Sequence, residues 1–356
     1  MAERLKHVNV AVIGLGMGWA HLKGYAEHPK CTIAALCDAD AGRLAARAAD
    51  FKMDPARCFT SADALLAAAK DLKLDAVSVV LPNALHAPVT IAALGRGLHV
   101  LCEKPMAMNA GEARRMVAAA KKARKTLGIN LSFRFTPQSR ALKDIVDSGR
   151  LGRVYYAHTR WWRQRGLPGL GGWFGIKRLS GGGPIIDLGV HRMDLAMWLM
   201  GGPQPVAVSA AVYNPIGSRL ARRQRKTFDV EDLGAAFVRF EGGATLTLEA
   251  SWAGFSGKNE DMVTEVLGER GGIVQRNVGE GYDFEARVFS EEGGSMAETV
   301  IKQRLAPAPS PYAEFIDALL EGRPSLATAE DGLKVQQVLD AIYLSAALGR
   351  EVRIHA

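Results

Sequence analysis

The residues with the clearest capacity for chemistry lie between Ser180 and Asp194, where a glycine-rich turn runs into an apolar helix. Asp187 and His191 are four residues apart, so a helix places a carboxylate and an imidazole on one face, with Asp194 close by. Histidine titrates near neutrality and can accept the proton of an alcohol, while aspartate can hold the hydroxyl or orient a cation. The alternatives are a hydrogen-bonded core histidine and a simple helix N-cap aspartate.

A second glycine-rich turn directly follows the first predicted strand, Val8–Ile13, and opens a helix. Glycines at this point permit a tight turn and let backbone N–H groups approach a pyrophosphate at the helix N-terminus. In the usual spacing the third glycine would fall at Trp19, but here it stands one position earlier. The candidate dinucleotide contacts in this turn are Gly14, Gly16, Met17 and Gly18.

An acidic residue, Asp38, ends the second predicted strand about 20 residues after the glycines, as in dinucleotide-binding folds. Its carboxylate can accept both ribose hydroxyls of NAD and would repel the 2′-phosphate of NADP, so NAD is the expected cofactor and NADP is disfavoured. The alternative is an acidic cap on the following helix. Arg43 is a candidate contact to adenine or phosphate, with an ordinary surface position as the alternative.

These residues need two different kinds of element to position them. Strand and helix alternate over residues 1–132, which predicts a doubly wound parallel sheet of the Rossmann type. From Val154 onward, long alternating strands are joined by tight turns, which predicts an α+β domain over residues 133–356 with a large, mostly antiparallel open sheet. The fold class is therefore α/β with two domains. The stretch Asn214–Thr227 is predicted to be an exposed loop.

Composition excludes several classes of function. The chain has 356 residues and a formal charge of +8, but its basic residues are dispersed and lack interleaved aromatics, so no nucleic-acid partner is expected. No apolar run approaches the roughly 18 residues of a membrane span, and the N-terminus leads straight into a strand, so we expect a cytoplasmic protein without membrane contact. The four cysteines show no metal-ligand spacing, so they are predicted to be reduced thiols and no metal is expected.

The glycine turn and three further motifs resemble those of the Gfo/Idh/MocA oxidoreductases, the glucose–fructose oxidoreductase and inositol dehydrogenase family. The motifs are Pro82-Asn83-x-x-His86, Glu103-Lys104-Pro105 and Gly182-Gly183-x-x-x-Asp187-x-Gly189-x-His191-x-x-Asp194. The resemblance covers nearly the whole chain. This chain departs from the family pattern in its shortened glycine turn and at Leu81, where a threonine is frequent.

The resemblance implies roles for individual residues. Lys104, Asp187 and His191 match the catalytic lysine, aspartate and histidine, and the family often has the Lys-Pro bond in the cis form. Lys104 would end a strand at the carboxyl edge of the sheet. A cation there can orient a hydroxyl and stabilise an alkoxide. Further cofactor contacts are expected at Leu81, Pro82, Asn83, His86, Glu103 and Lys104.

The stretch Trp161–Phe174 combines tryptophans and arginines with a glycine-rich loop, just before the segment that carries Asp187. Aromatic faces stack on the C–H surfaces of a sugar ring, and guanidinium groups donate hydrogen bonds to hydroxyls. A core tryptophan cluster with a solvated loop is the alternative. The candidate substrate contacts are Arg163, Arg165, Trp173, Lys177, Asp187 and His191.

We therefore expect an NAD-dependent dehydrogenase that transfers hydride, without a metal, between nicotinamide and a secondary alcohol of a sugar, glycoside or cyclitol. One alternative is a glycosidase that retains NAD and works by transient oxidation and elimination, and another is a non-catalytic, cofactor-bound sensor. The resemblance further implies a homodimer or homotetramer, formed through the open face of the second domain's sheet.

Overall fold

The structure, a computed structural model, describes residues 5–302 and 308–354. The chain divides into two compact units: the first contains residues up to Leu131 together with Pro309–Leu333, and the second contains Ser132–Ala308 and the residues from Lys334 onward. The segment Pro309–Leu333, assigned above to the second domain, thus belongs to the first unit. The reason is packing, because Phe315 and Ile316 are fully buried in an apolar cluster with the first strand.

The first unit is built on a six-stranded parallel sheet in the order β3-β2-β1-β4-β5-β6. Its strands are β1 Val8–Ile13, β2 Cys31–Cys37, β3 Cys58–Phe59, β4 Ala76–Val79, β5 His99–Cys102 and β6 Leu127–Ile129. The helices are α1 Gly18–Ala26, α2 Ala41–Asp50, α3 Ala62–Ala67, α4 His86–Gly95, α5 Ala110–Ala123 and α10 Pro311–Glu321. Strands such as β1 and β4 are almost wholly apolar because both faces of the sheet are covered. The expected doubly wound sheet is confirmed.

The strand order reverses between β1 and β4, and open α/β sheets bind ligands outside the carboxyl ends of strands at such a point. Gly14 follows β1, Asp38 follows β2, Leu81 lies two residues after β4, and Glu103 follows β5. The sequence motifs of the first unit therefore converge on one edge of its sheet.

The second unit is built on a nine-stranded sheet in the order β14-β13-β12-β11-β7-β10-β9-β8-β15, in which only the β7–β10 pair is parallel. Its strands are β7 Val154–Arg163, β8 Pro205–Tyr213, β9 Leu233–Phe240, β10 Thr245–Ser251, β11 Glu260–Gly268, β12 Gly271–Asn277, β13 Phe284–Glu292, β14 Ser295–Ile301 and β15 Val352–Arg353. Its helices are α6 Pro137–Asp147, α7 Lys177–Ser180, α8 Val190–Leu199, α9 Pro215–Gln224 and most of α11 Ala329–Leu348. The predicted mostly antiparallel sheet is confirmed.

Helix α9, Pro215–Gln224, lies within the stretch Asn214–Thr227, so the prediction of a loop there was wrong. Pro215 stands in the first turn, where its missing N–H costs nothing. The buried Asp232 carboxylate accepts the N–H groups of Ile216 and Gly217 at 2.8 and 2.7 Å, and Gly217 lies so close to Phe228 that a β-carbon would clash. Long-range contacts therefore hold a helix that its polar sequence does not indicate.

The glycine-rich turn before Asp187 leads into a π-helical turn, Ile185–Gly189, and then into α8. The sequence predicted a helix here, and α8 is indeed buried on nearly every side, with His191 and Trp198 its only partly exposed residues. Asp194 is itself buried and accepts two hydrogen bonds from Arg134, at 2.9 and 2.6 Å. Asp194 is thus engaged in a buried ion pair.

Among the described residues, no helix is both long and apolar enough to cross a membrane.

Candidate active site

The glycine turn of the first unit has the shape that a dinucleotide requires. Gly14 adopts a φ of +93°, and a β-carbon there would lie 2.0 Å from the carbonyl oxygen of Val80, so no other residue fits. A β-carbon on Gly16 would meet nothing within 4 Å, which leaves its backbone open at the start of α1. Gly18 begins that helix and lies against Val12, so the displaced third glycine provides the close packing of helix on strand.

The Asp38 carboxylate lies beside this turn and already receives four hydrogen bonds. The N–H groups of Leu15 and Asp40 donate to it at 2.8 Å each, and Arg43 donates from Nε and a terminal nitrogen at 2.8 and 3.1 Å. Burial raises the pKa of the carboxyl, but the hydrogen bonds from Arg43 and the backbone outweigh it and hold the pKa below its usual range. Arg43, expected at adenine or phosphate, is thus paired with Asp38. An ionised acceptor beside an open helix N-terminus fits the ribose and pyrophosphate of NAD.

Glu103, Lys104 and Pro105 follow β5, and the Lys104–Pro105 peptide bond is cis, as the resemblance implied. The Glu103 carboxylate accepts hydrogen bonds from His21 Nε2 at 2.9 Å, from Asn130 Nδ2 at 2.6 Å and from the backbone N–H of Lys104 at 3.1 Å. Burial alone would raise the pKa of this carboxyl, but the hydrogen bond and charge of His21, with the Asn130 amide, lower it to about 2. Glu103 is therefore ionised and held largely by other protein groups.

His86, expected to contact the cofactor, is almost fully buried. Its two ring nitrogens lie 2.7 Å from the carbonyl oxygens of Leu81 and Pro105, so both are engaged by backbone. His86 therefore joins the loop after β4 to the segment after β5. Pro82 precedes a 3₁₀ turn, Asn83–Leu85, in which Asn83 is also buried, while Met17 is exposed at the start of α1.

In the second unit, Asp187 Oδ2 accepts a hydrogen bond from the indole Nε1 of Trp252 at 3.0 Å. Trp252 is 1% exposed and follows β10 directly, so the sheet holds the donor in place. No side-chain capping bond is found at Ile185–Gly189 or at the start of α8. A buried tryptophan therefore helps to fix the Asp187 carboxylate.

His191 lies against an aromatic cluster. Its ring centroid is 5.1 Å from that of Phe133 and 6.0 Å from that of Trp161, and Phe133 and Trp161 also contact each other edge to face. Trp161 in turn contacts Tyr282 at 5.8 Å. The imidazole thus lies beside an apolar wall and is only partly exposed, an environment that suits a proton acceptor next to a sugar ring.

Arg163 contacts Tyr282 of this aromatic cluster and interacts electrostatically with Asp187. It donates to Glu260 at 2.9 Å and to the Tyr282 hydroxyl at 2.9 Å, and Glu260 also accepts from the Trp161 indole at 2.6 Å. Burial lowers the pKa of Arg163, but interactions with Glu260, Tyr282 and Asp187 raise it by more, so the pKa lies above its usual value. The pKa of Tyr282 is raised by burial first, with the charge of Asp187 among the smaller causes. Arg163 and Tyr282 therefore lie within the field of the Asp187 carboxylate.

The other predicted substrate contacts divide between two locations. Trp173 stacks on Phe174 at 3.9 Å, and Phe174 meets Trp252 edge to face, which connects Trp173 to the Asp187 group. Arg165 lies 4.4 Å over the exposed ring of Phe255. Lys177 lies over Tyr343 and lines a separate cavity of about 540 Å³ with Asp229 and Glu231. The structure thus brings Asp187, His191, Arg163 and Trp173 together and places Arg165 and Lys177 on other features.

Four residues of this group were not predicted as functional: Phe133, Trp252, Glu260 and Tyr282. Glu260 faces Arg163 across the antiparallel β7–β11 pair, and Met262 faces Trp161. Only knowledge of this pairing could have assigned Glu260 to the site. Trp252 carried a weak signal, since a large aromatic ends a strand of alternating polarity.

Comparison with known proteins identifies the family of the chain. Residues 8–131 match the family described as "Oxidoreductase family, NAD-binding Rossmann fold", and residues 143–354 match "Oxidoreductase family, C-terminal alpha/beta domain", the two parts of the Gfo/Idh/MocA family. The chain is 32% identical over 358 residues to the D-glucoside 3-dehydrogenase of Escherichia coli (strain K12), a match that covers 98% of this chain and 97% of that protein.

Two solved structures are similar over almost their entire length. The aldose-aldose oxidoreductase from Caulobacter crescentus, complexed with glycerol, has a TM-score of 0.83 and 26% identity, covering 98% of this chain and 100% of that one. Levoglucosan dehydrogenase in complex with NADH has a TM-score of 0.85 and 25% identity, with coverage of 98% and 100%. The chain therefore belongs to the Gfo/Idh/MocA oxidoreductase family, with an NAD-binding Rossmann domain, and is an NAD(P)-dependent oxidoreductase that acts on CH–OH groups.

Proposed function

We propose that this protein oxidises a secondary alcohol of a sugar, glycoside or cyclitol, reversibly and with NAD as the preferred hydride acceptor. The observation that carries the proposal is the group formed by Asp187, His191, Arg163 and the aromatic rings around them. It combines one ionisable base, one fixed carboxylate and one guanidinium with flat apolar surfaces. A polyol ring presents the complementary features, namely hydroxyls at its edge and C–H groups on its faces.

Each catalytic residue has a role that its chemistry permits. NAD, when bound, supplies the nicotinamide carbon that accepts the hydride. His191 accepts the hydroxyl proton as the hydride leaves, and Asp187, held by Trp252, orients that hydroxyl. Lys104 donates a hydrogen bond to the same oxygen and stabilises the negative charge that develops on it. Proton and hydride leave the alcohol together, so the product is a ketone and no metal is required by the balance of the reaction.

The names of the relatives support this class of substrate. D-glucoside 3-dehydrogenase, 1,5-anhydro-D-fructose reductase and levoglucosan dehydrogenase all refer to cyclic sugars or their derivatives. A glucoside is the first substrate that we would test, since that relative matches over nearly the whole chain. For the second unit we accordingly propose the role of substrate-binding domain.

We also propose that the protein forms a homodimer or homotetramer through the open face of the nine-stranded sheet. Buried and partly exposed residues alternate along β9 and β10, so one face is covered and the other is not. The partly exposed side carries Phe237, Thr247 and Glu249, a mixture of apolar and polar groups that suits contact with a second subunit. Light scattering at micromolar concentration tests this, and a monomer would refute it.

The experiment that tests the activity is a panel of methyl β-D-glucopyranoside, free aldoses and myo-inositol, each incubated with NAD and followed by NADH absorbance. Net, substrate-dependent NADH formation with at least one compound is expected. Release of methanol without net NADH would instead indicate a glycosidase that recycles its cofactor. Saturable sugar binding with neither product would indicate a sensor and would contradict the proposal.

A further inference from the structure

A buried chain of hydrogen bonds in the first unit ends at Glu103, next to Lys104. The Tyr25 hydroxyl lies 2.6 Å from Ser78 Oγ, Ser78 Oγ lies 3.1 Å from His21 Nδ1, and His21 Nε2 lies 2.9 Å from Glu103 Oε1. Tyr25 and Ser78 are fully buried and His21 is 1% exposed. The roles proposed above do not use His21.

The balance of donors and acceptors determines the direction of the hydrogen bonds in this chain. If Tyr25 donates to Ser78 and Ser78 donates to His21 Nδ1, then a neutral His21 keeps its proton on Nε2 and donates it to Glu103. The reverse direction would leave the Tyr25 O–H without an acceptor, because Ser78 is the only hydrogen-bond partner of that hydroxyl among the described residues. Burial also raises the pKa of Tyr25 well above its usual range, so this hydroxyl remains a donor. Because the ionised Glu103 carboxylate can only accept, His21 Nε2 carries a proton and donates it to Glu103.

The Glu103 carboxylate, which accepts the hydrogen bond from His21, also contacts the backbone of Lys104. Glu103 Oε1 takes both His21 and Asn130, and Oε2 takes the backbone N–H of Lys104 at 3.1 Å. The position of the carboxylate therefore sets the orientation of the peptide plane from which the Lys104 side chain departs. The ammonium and carboxylate charges also act on each other, since the charge of Lys104 is one of the causes that lower the pKa of Glu103.

We propose that His21 is a positioning residue for Lys104, which it orients through Glu103 by a directed chain of hydrogen bonds that starts at Tyr25. The inference rests on the proposed role of Lys104 in the reaction. Ring packing around His21 strengthens the restraint, because the Tyr312 ring lies 4.5 Å from the imidazole. The ring contact thus restricts rotation of the imidazole that donates to Glu103.

Three variants separate this role from a merely structural one. His21→Leu removes the donor to Glu103, whereas His21→Gln keeps an N–H donor and an acceptor on one side chain. We expect His21→Leu to lower kcat for methyl β-D-glucopyranoside by roughly 10- to 100-fold, the effect of a hydrogen bond to a charged group, and His21→Gln to recover most of the loss. The affinity for NAD, measured by titration calorimetry, should stay nearly constant. His99→Gln serves as the matched control, because His99 lies at the opposite end of β5 from Glu103.

A double-mutant cycle with Lys104→Met decides whether His21 acts through the lysine. In the Lys104→Met background, His21→Leu should lower kcat by less than about threefold, because the group that it positions is already absent. If Lys104→Met alone keeps the wild-type kcat, the proposed role of Lys104 fails and the inference fails with it. If Lys104→Met is impaired but the two losses multiply, the proposed function stands and the positioning role of His21 is wrong.

A measurement without cofactor or substrate provides a second readout. Loss of the His21 donor should raise the pKa of Glu103 from about 2 toward its ordinary value. The stability of the variant should then depend less on pH between about 2 and 5 than that of the wild type, as measured by thermal unfolding. An unchanged pH dependence would overturn the inference. Should His21→Leu fail to fold, Tyr25→Phe weakens the same chain at its far end and can be tested in the same cycle.

Discussion

Trp252 holds Asp187 by a single hydrogen bond of 3.0 Å from the indole nitrogen to one carboxylate oxygen. The donor comes from the end of β10, and the acceptor lies in the π-helical turn before α8. A buried tryptophan thus determines the position of a carboxylate on a short and irregular turn. The contact restrains Asp187 in a turn of only five residues.

The first prediction concerns this contact. Trp252→Phe keeps an aromatic ring between Phe174 and Phe228 but removes the N–H donor. A hydrogen bond to a charged group contributes about 1.5–3 kcal/mol, so kcat for sugar oxidation should fall roughly 10- to 150-fold while NAD affinity is unchanged. The matched control is Trp198→Phe, since Trp198 packs against Arg134 and Lys143. Equal kcat values for Trp252→Phe and wild type would show that Asp187 needs no support.

The second prediction contrasts two glycines of one turn. Gly14→Ala forces a β-carbon to within 2.0 Å of the Val80 carbonyl oxygen at a positive φ, so thermal unfolding should occur several degrees lower. Gly16→Ala adds a methyl group that meets no protein atom within 4 Å, so its unfolding temperature should match the wild type. Its NAD affinity should nevertheless fall by roughly 5- to 150-fold, because the methyl group would overpack the bound pyrophosphate. Normal NAD binding by Gly16→Ala would argue against a phosphate site at this turn.

The third prediction concerns the choice between NAD and NADP. Wild-type protein should bind NAD more tightly, because Asp38 is ionised and would repel a 2′-phosphate. Asp38→Ser removes that charge and releases Arg43, whose guanidinium can then pair with the phosphate. The ratio of the affinities for NAD and NADP should therefore fall by about tenfold or more. In Asp38→Ser/Arg43→Ala, the gain in NADP affinity should disappear. Titration calorimetry with both cofactors measures this, and tighter binding of NADP by the wild type would refute it.

The fourth prediction concerns stability in mild acid. Burial first, and then Lys125, lower the pKa of His99 to about 4, well below the value of about 6.5 in an unfolded chain. Between these values the unfolded state binds more protons than the folded state, so the free energy of unfolding falls as the pH is lowered through this window. His99→Gln should remove up to about 3 kcal/mol of this decrease.

Thermal unfolding at about pH 4.5 and about pH 7 measures the effect. The temperature difference between the two conditions should be smaller for His99→Gln than for the wild type. Replacement of the exposed His7 by Gln serves as the control for the loss of an imidazole. An identical difference in the His99→Gln variant and the wild type would show that His99 is not the titrating group.

Most of the fold could be predicted because its signals are local. Most strands of the first unit are short apolar runs, and Gly14, Asp38 and Glu103 directly follow β1, β2 and β5. Alternation along Leu233–Phe240 and Thr245–Ser251 similarly indicated an antiparallel pair with one covered face. The candidates Asp187 and His191 were proposed from their spacing on a helix, and the first lies in a π-helical turn and not in a regular α-helix.

The remainder depends on contacts between residues far apart in the chain. Glu260 reaches Arg163 only because β11 pairs with β7, and His86 binds two carbonyl groups, at Leu81 and Pro105, that belong to different loops. Helix α9 likewise depends on Asp232, which lies beyond its C-terminal end. No periodicity within one segment contains such information, so these features became evident only in three dimensions.

The central claim is that His191 removes the proton from the sugar hydroxyl. The most direct test is the pH dependence of kcat/KM for methyl β-D-glucopyranoside, or for whichever compound of the panel reacts best, in wild type and His191→Ala. For the wild type, kcat/KM should fall toward acid with an apparent pKa of roughly 6–8, because protonated histidine cannot accept a proton. His191→Ala should lose about 10²- to 10⁴-fold in kcat and lack this acid limb, while its affinity for NAD stays unchanged. A His191→Ala protein that keeps the wild-type rate and the wild-type acid limb would contradict the account.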